Sequence, residues 1–119
     1  MKNIIIGCFL VISSNCMGQA LEEKLVAALG EGWVAEEALA VGLYAVLSTQ
    51  GSEPTEHFRQ AIAVAINHSG DSDSTGSIAG NILGAYYGDA CLPAEWLGAL
   101  EGTEVIRGMA DRLLAVTTG

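Results

Sequence analysis

The sequence has 119 residues, half of them hydrophobic, and a formal net charge of −9 that comes from 14 acidic and five basic residues. This length fits one domain. The few scattered cations argue against a nucleic-acid surface, which must neutralise phosphates, and against adhesion to an anionic membrane. Only 6% of the residues are aromatic, while Ala and Gly are abundant, so we predict an all-α fold, a compact multi-helix bundle, rather than a β-sandwich.

The first twenty residues have features of a secretory signal peptide. Lys2 makes the start weakly cationic, residues 4–12 form an apolar run, and the small residues Gly18 and Ala20 occupy positions that a signal peptidase prefers. The alternative is a buried helix or strand at the start of the domain. We therefore divide the chain into a signal-like segment, residues 1–20, and a domain, residues 21–119.

The three cysteines are Cys8, Cys16 and Cys91. They form no CxxC pair, no His lies at ligand spacing from them, and an odd number does not suggest a disulfide framework. We expect free thiols in a reducing compartment and therefore a cytoplasmic protein. Secretion is the alternative if residues 1–20 are a signal peptide.

From Leu21 onward, apolar residues recur at helical spacing and predict an all-helical chain without strands. Residues 34–47 are almost entirely apolar, which predicts a helix that is buried on most sides. Thr55 is expected to be the N-cap of the third helix. Glycines at positions 76, 80 and 84 form one stripe, which favours close packing of another helix. The predicted helices cover, in order, about residues 21–29, 34–47, 55–67, 76–87, 93–100 and 103–114.

Asp71 and Asp73 lie two residues apart in the polar segment 68–75, between two apolar helices. Two neighbouring carboxylates repel each other unless one is protonated or a cation lies between them. Together with the surrounding hydroxyls of Ser72, Ser74 and Thr75, they are hard oxygen donors of the kind that Mg²⁺ binds. Two carboxylates and a hydroxyl are too few ligands for a closed site, so the pattern predicts one half of a divalent-cation site.

Segment 68–75 has two other possible interpretations, an EF-hand loop and a local turn or helix cap. The spacing Asp-x-Asp-x-Thr-Gly opens like an EF-hand, but Ile82 stands at the twelfth position, where a bidentate Glu is needed. This excludes an EF-hand. The second alternative is an Asx-turn or an N-cap that leads into the following helix, and the sequence leaves it open.

Residues 67–85, which read Asn-His-Ser-Gly-Asp-Ser-Asp-Ser-Thr-Gly-Ser-Ile-Ala-Gly-Asn-Ile-Leu-Gly-Ala, resemble the C-terminal signature of the ADP-ribosylglycohydrolase family. Two further blocks are similar to the same family. Residues 32–40 read Gly-Trp-Val-Ala-Glu-Glu-Ala-Leu-Ala, and residues 86–97 contain Tyr-Tyr-Gly, Leu-Pro and Trp-Leu. The blocks keep the family's order and spacing over roughly residues 21–116.

The resemblance implies the C-terminal part of an all-α fold that has a binuclear Mg²⁺ or Mn²⁺ centre. It implies hydrolysis of the glycosidic bond between ADP-ribose and a modified protein side chain or small molecule, which would be the partner of the protein. Asp71, Asp73 and Ser74 match the family's Asp-x-Asp-Ser/Thr cluster of metal ligands. The resemblance assigns no catalytic residue in this chain.

Members of this family are longer and supply a second, Thr-Asp-Asp type cluster from their N-terminal half. No such cluster occurs before residue 50 in this sequence. We therefore expect a truncated chain that lacks the other half of its active site. The alternative function is a non-catalytic remnant that binds metal or ADP-ribose.

Four further side chains have less specific sequence contexts. His68 is interpreted as a hydrogen-bonding group rather than as a ligand contact or a proton donor, since a lone His beside a loop usually has that role. His57 follows Glu56 and is expected to be solvated. Trp33 and Trp96 are expected to anchor the core rather than to stack on a nucleobase.

Overall fold

The computed structural model describes residues 23–51 and 53–118, and these residues are mainly helical and contain no strand. This confirms the all-α prediction. The signal-like segment 1–20, with Cys8 and Cys16, lies outside the described residues. The described elements are α1 (23–29), α2 (Ala35–Ser48), α3 (Pro54–Ile66), α4 (Ser72–Tyr87), a 3₁₀ turn (Gly88–Cys91), α5 (Ala94–Ala99) and α6 (Thr103–Thr118).

Helices α2, α3 and α4 pack against one another and enclose the core. Its buried residues are mostly small, and its larger members are Phe58 and Leu83. Small side chains let helix axes approach closely. The remaining buried members of this cluster are Ala45, Val46, Ala61, Ala65, Ala79 and Cys91.

Helix α2 approaches α4 closely at Gly42. A Cβ added there would lie 2.6 Å from Cγ2 of Ile78 and 3.3 Å from the carbonyl oxygen of Thr75. The predicted glycine stripe is close to another helix mainly at Gly76, where an added Cβ would lie 2.7 Å from Cγ2 of Ile66. At Gly84, the described part of the chain leaves open space. Close packing therefore depends on a glycine of α2 more than on the whole stripe of α4.

His57 joins three helices in the core, so the expectation that it is solvated is wrong. Its side chain is buried, with Nε2 2.9 Å from the carbonyl oxygen of Val46 and Nδ1 3.0 Å from the hydroxyl of Tyr87. Successive residues of an α-helix point in directions about 100° apart, because one turn takes 3.6 residues. The neighbouring Glu56 can therefore face solvent while His57 faces α2 and α4.

Helix α3 begins at Pro54, one residue before the predicted N-cap at Thr55. Proline suits the first position of a helix because its φ is fixed near the helical value and its missing N–H needs no partner there. The residue before it, Glu53, is the N-cap but makes no side-chain capping bond. The hydroxyl of Thr55 instead lies 3.4 Å from the carbonyl oxygen of Ala90, beside the 3₁₀ turn.

The outer face of α2 is exposed, so the prediction that α2 is buried on most sides is wrong. Leu39 and Leu47 are more than half exposed, at 55% and 57%. The physical reason is that α3 and α4 cover one side of α2, and the described residues place no element on the other. Helix α6 likewise leaves its apolar side chains uncovered within the described chain: Val105, Ile106, Met109, Leu113, Leu114 and Val116.

Cys91 ends the 3₁₀ turn as a buried free thiol, in agreement with the expectation for this cysteine. Burial disfavours the charged thiolate and raises the pKa of the Cys91 thiol above its ordinary value. This thiol therefore acts as a small apolar side chain of the core. A separate observation concerns membranes: none of the described helices is both long and apolar enough to cross one.

We expect Gly42→Ala to lower the free energy of unfolding by about 1–3 kcal/mol, because the new methyl group overlaps with the stiff β-branched side chain of Ile78. Urea denaturation of both chains would measure the change. The matched control is Gly84→Ala in α4, where the added methyl group meets open space. That substitution should instead raise stability by about 0.5–1 kcal/mol. Equal effects of the two substitutions would contradict close packing at Gly42.

Candidate functional site

Helix α4 starts at Ser72, four residues earlier than predicted, and Asp71 is its N-cap. The Asp71 carboxylate accepts a hydrogen bond from the backbone N–H of Ser74 at 3.4 Å. An Asp in this position satisfies one of the unpaired N–H groups at a helix start, and the helix dipole favours negative charge there. Asp73 and Ser74 therefore lie on the first helical turn rather than in a loop. The N-cap interpretation left open by the sequence is thus correct, and it does not exclude a bound cation.

The structure brings together the three predicted metal ligands at the start of α4. The pKa of the Asp71 carboxyl lies below its ordinary value. The largest cause is side-chain hydrogen bonding with the Asp73 carboxyl, and hydrogen bonds from Ser74 lower the pKa further. The ion pairs found between described residues, Arg59 with Glu95 and Arg107 with Asp89, do not involve these acids. The charge of the pair is thus not neutralised by a basic side chain in the described chain.

The donor set fits one half of a divalent-cation site. Its carboxylate and hydroxyl oxygens are the hard ligands that Mg²⁺ and Mn²⁺ accept. The described residues contain no group of three or more His, Cys, Asp or Glu side chains arranged around a metal position. The start of α4 can therefore offer oxygen ligands on one side of a cation, and the remaining ligands must come from water, substrate or other protein groups.

The connection between α1 and α2, residues 30–34, lies directly against this acidic start. The N–H of Asp71 donates to the carbonyl oxygen of Glu31 at 2.8 Å. A Cβ added at Gly70 would lie 1.9 Å from the same oxygen, so only glycine permits this approach. At Gly32, an added Cβ would lie 3.0 Å from Cγ2 of Thr75. The two segments are thus in close contact at Glu31 and at Gly32.

Glu37 on α2 holds the 30–34 connection in place. Its carboxylate accepts a hydrogen bond from the N–H of Gly32 at 3.1 Å. Gly30 and Gly32 have φ angles of +90° and +84°, in the left-handed region that favours glycine. The sequence pattern ends the first predicted helix at residue 29, directly before these glycines, and assigns them no role in the site. The signal that was missed is the pair of glycines on both sides of Glu31, followed by an acidic residue five positions after Gly32.

His68 and Thr75 are both buried, and they lie between the start of α4 and the end of α3. His68 uses both ring nitrogens in hydrogen bonds, which confirms that it is a hydrogen-bonding group. The hydroxyl of Thr75 lies 2.6 Å from the carbonyl oxygen of Ala65, at the end of α3. Sequence reasoning noted Thr75 only as one of several hydroxyls near Asp71, since its burial follows from the packing of α4 against α3.

Trp33 is 66% exposed, so the prediction that it anchors the core is wrong. Its indole N–H donates to the Glu31 carboxylate at 2.9 Å, on the outer side of the 30–34 connection. Trp96 is 42% exposed and contacts Phe58 edge-on, with ring centroids 6.1 Å apart. It covers the edge of the core beside Arg59 rather than its centre.

A model of the ADP-ribosylglycohydrolase family matches residues 10–119. Human (Homo sapiens) ADP-ribosylhydrolase ARH3 is 31% identical over 96 residues, which cover 76% of this chain and 26% of that protein. ADP-ribosylarginine hydrolase Tri1 of Serratia proteamaculans is 32% identical over 96 residues, covering 81% of this chain and 24% of that protein. The ADP-ribosyl-dinitrogen reductase glycohydrolase of Rhodospirillum rubrum is 38% identical over 64 residues, covering 52% and 22% respectively.

This chain thus spans about a quarter of the length of the curated relatives that it matches. No solved structure matches it.

We expect the Asp71 carboxyl to titrate below 3.8, its ordinary value, in a carboxyl NMR titration. Ser74→Ala removes one hydrogen bond to the ionised form and should raise the pKa of Asp71 towards the ordinary value. Ser77→Ala, one turn further along α4 on an exposed position, is the matched control and should leave the pKa unchanged. An Asp71 pKa that Ser74→Ala does not raise would contradict this account.

The same shift predicts a pH dependence of stability. Because the folded-state pKa of Asp71 lies below its unfolded value, the ionised cap stabilises the fold above the unfolded pKa. This contribution is lost as pH falls through the folded pKa. Thermal unfolding should therefore show that the stability difference between the native chain and Ser74→Ala shrinks as the pH falls below about 3.8. A difference that stays constant with pH would contradict this prediction.

Proposed function

This chain belongs to the ADP-ribosylglycohydrolase family, and we propose that it supplies one half of a Mg²⁺- or Mn²⁺-dependent site that hydrolyses the glycosidic bond of ADP-ribosylated substrates. The observation that carries the proposal is the convergence of Asp71, Asp73 and Ser74 at the start of α4. Relatives named for ADP-ribosylarginine and for ADP-ribosyl-dinitrogen reductase support an ADP-ribosylated protein as the class of substrate. A small ADP-ribosylated molecule is the other form this substrate can take.

Asp71 and Asp73 would hold the cation, and the Ser74 hydroxyl would add a neutral oxygen. When bound, such a cation supplies Lewis acidity that polarises an oxygen of the substrate or of a water molecule. The lowered pKa of Asp71 extends the pH range in which this carboxylate is ionised to more acidic solutions. The Asp71 amide is fixed to Glu31, so its carboxylate projects from a backbone that is already ordered before any cation binds.

A second candidate function is a binding module that holds a cation or ADP-ribose without turnover. One observation favours it: the described residues do not surround a metal position with three ionisable ligands. Both candidate functions require the same acidic pair, so they differ in turnover and not in the residues that bind the cation.

Calorimetric titration with MnCl₂ is expected to show weak binding to the 119-residue chain. Asp71→Asn and Asp73→Asn should each weaken it by about tenfold or more, which corresponds to about 1.4 kcal/mol. The matched control is Asp111→Asn, which removes one negative charge from an exposed position on α6 and should leave the affinity unchanged. Absence of Mn²⁺ binding to the native chain would contradict the metal-dependent hydrolase site and a module that holds a cation.

An assay for ADP-ribose release separates the two candidates. ADP-ribosylated arginine and serine peptides are incubated with the chain and Mg²⁺, and free ADP-ribose is quantified. Release that depends on Mg²⁺ and is abolished by Asp71→Asn supports the hydrolase. Mn²⁺ binding without release in this assay supports the binding module and shows that this chain does not hydrolyse the bond by itself.

A further inference from the structure

His68 is a buried polar residue that lies three positions before Asp71. Its side chain is 8% exposed, and each ring nitrogen has a partner. Nδ1 accepts the backbone N–H of Gly70 at 3.1 Å. Because an N–H group donates to Nδ1, that nitrogen carries no proton, and the ring is the neutral tautomer with its proton on Nε2.

The proton on Nε2 points towards two acceptors. Nε2 lies 2.9 Å from the carbonyl oxygen of Ala65, in the last turn of α3, and 3.0 Å from Oγ1 of Thr75, in the first turns of α4. Thr75 is fully buried, and its own hydroxyl donates to the Ala65 oxygen at 2.6 Å. One imidazole therefore connects the end of α3, the backbone before Asp71 and the start of α4.

The Gly70 hydrogen bond acts on the peptide between Ser69 and Gly70, one residue before the peptide that leads into Asp71. The Gly70 amide is held by His68, and the next amide, of Asp71, is held by the carbonyl oxygen of Glu31 at 2.8 Å. Two successive N–H groups are thus fixed by two different parts of the chain. These bonds restrain the backbone from which the Asp71 carboxylate projects, and the hydrogen bond from the Ser74 N–H orients the carboxylate itself.

We propose that His68 is a positioning residue that holds Asp71 in the geometry needed to bind a divalent cation, without contacting the cation or the substrate itself. This inference rests on the proposed function, which supplies the bound cation. It assigns a role to His68, which is not one of the three proposed cation ligands. His68 is not suited to bind a metal or transfer a proton to substrate, because Nδ1 is occupied by Gly70 and Nε2 faces the interior. Its contribution is therefore to keep the backbone before Asp71 in one conformation.

Two substitutions separate the roles of the two ring nitrogens. In His68→Asn, the side-chain oxygen can take the place of Nδ1 and accept the Gly70 N–H, but the bond to Ala65 is lost. In His68→Gln, the side-chain amide can reach the position of Nε2 and donate to Ala65, but the Gly70 N–H has no acceptor. Each variant removes one side of the ring's hydrogen bonding, so a merely structural role predicts similar losses from both.

The experiment compares the native chain with both variants by amide hydrogen exchange and by calorimetric titration with MnCl₂. A lost hydrogen bond of this kind corresponds to roughly a tenfold change in an equilibrium constant. We expect exchange of the Gly70 amide to be about tenfold faster in His68→Gln and close to native in His68→Asn. The affinity for Mn²⁺ should fall by about tenfold in His68→Gln and stay close to native in His68→Asn. This difference should persist even if the two variants have equally lowered melting temperatures.

Equal Mn²⁺ affinity of the two variants, in a chain that binds Mn²⁺, would overturn the role of His68 and leave the proposed function standing. No Mn²⁺ binding by the native chain would overturn the proposed function, and the positioning role with it. If His68→Gln does not fold, the native chain still provides a test by NMR. A scalar coupling across the hydrogen bond between the Gly70 amide nitrogen and His68 Nδ1 is expected. If this coupling is absent and the NMR signals show that Nδ1 carries a proton, the inference is overturned.

Discussion

The hydrogen bond from the Asp71 amide to the Glu31 carbonyl oxygen, 2.8 Å between N and O, joins two parts of the chain that are distant in sequence. It requires glycine at position 70, because any side chain there would overlap with the same carbonyl group. It also requires the turn at residues 30–32, which Glu37 holds through the N–H of Gly32. The orientation of the acidic start of α4 thus depends on a backbone contact that Gly70, the turn at residues 30–32 and Glu37 make possible.

The acidic pair itself combines a structural role with a chemical one. Asp71 caps α4 and therefore stabilises the helix by its charge and by its hydrogen bond to Ser74. The same charge, placed beside Asp73, favours a cation. These roles are compatible, because a carboxylate has more lone pairs than the single capping bond uses. The buried hydrogen bonds of His68 and Thr75 support this arrangement from the interior side of the helix.

Sequence patterns predicted the helical fold, the approximate bounds of α2 and α5, and the pair Asp71 and Asp73 at the start of α4, while the family resemblance added Ser74. They placed the start of α4 four residues too late, because the polar residues of 72–75 were interpreted as a loop although they form the first helical turn. Periodicity alone does not show which polar residues cap a helix and which precede it.

The burial of individual side chains was harder to predict. His57 directly follows the charged residue Glu56 but faces the core. Trp33 is large and apolar but lies on the surface. Both outcomes depend on how α2, α3 and α4 are arranged in space. The contact between Gly70 and Glu31 depends on the same arrangement, and local sequence carries little information about it.

The central claim is that a divalent cation binds at the start of α4, on the oxygens of Asp71, Asp73 and Ser74. The most direct test is NMR spectroscopy of the ¹⁵N-labelled chain with substoichiometric Mn²⁺, whose unpaired electrons broaden the signals of nearby amides. This account predicts that the amides of Gly32, Gly70 and residues 72–75 broaden first, while those of α6 remain sharp. Uniform broadening along the chain, or broadening centred on another group of acidic residues, would contradict it.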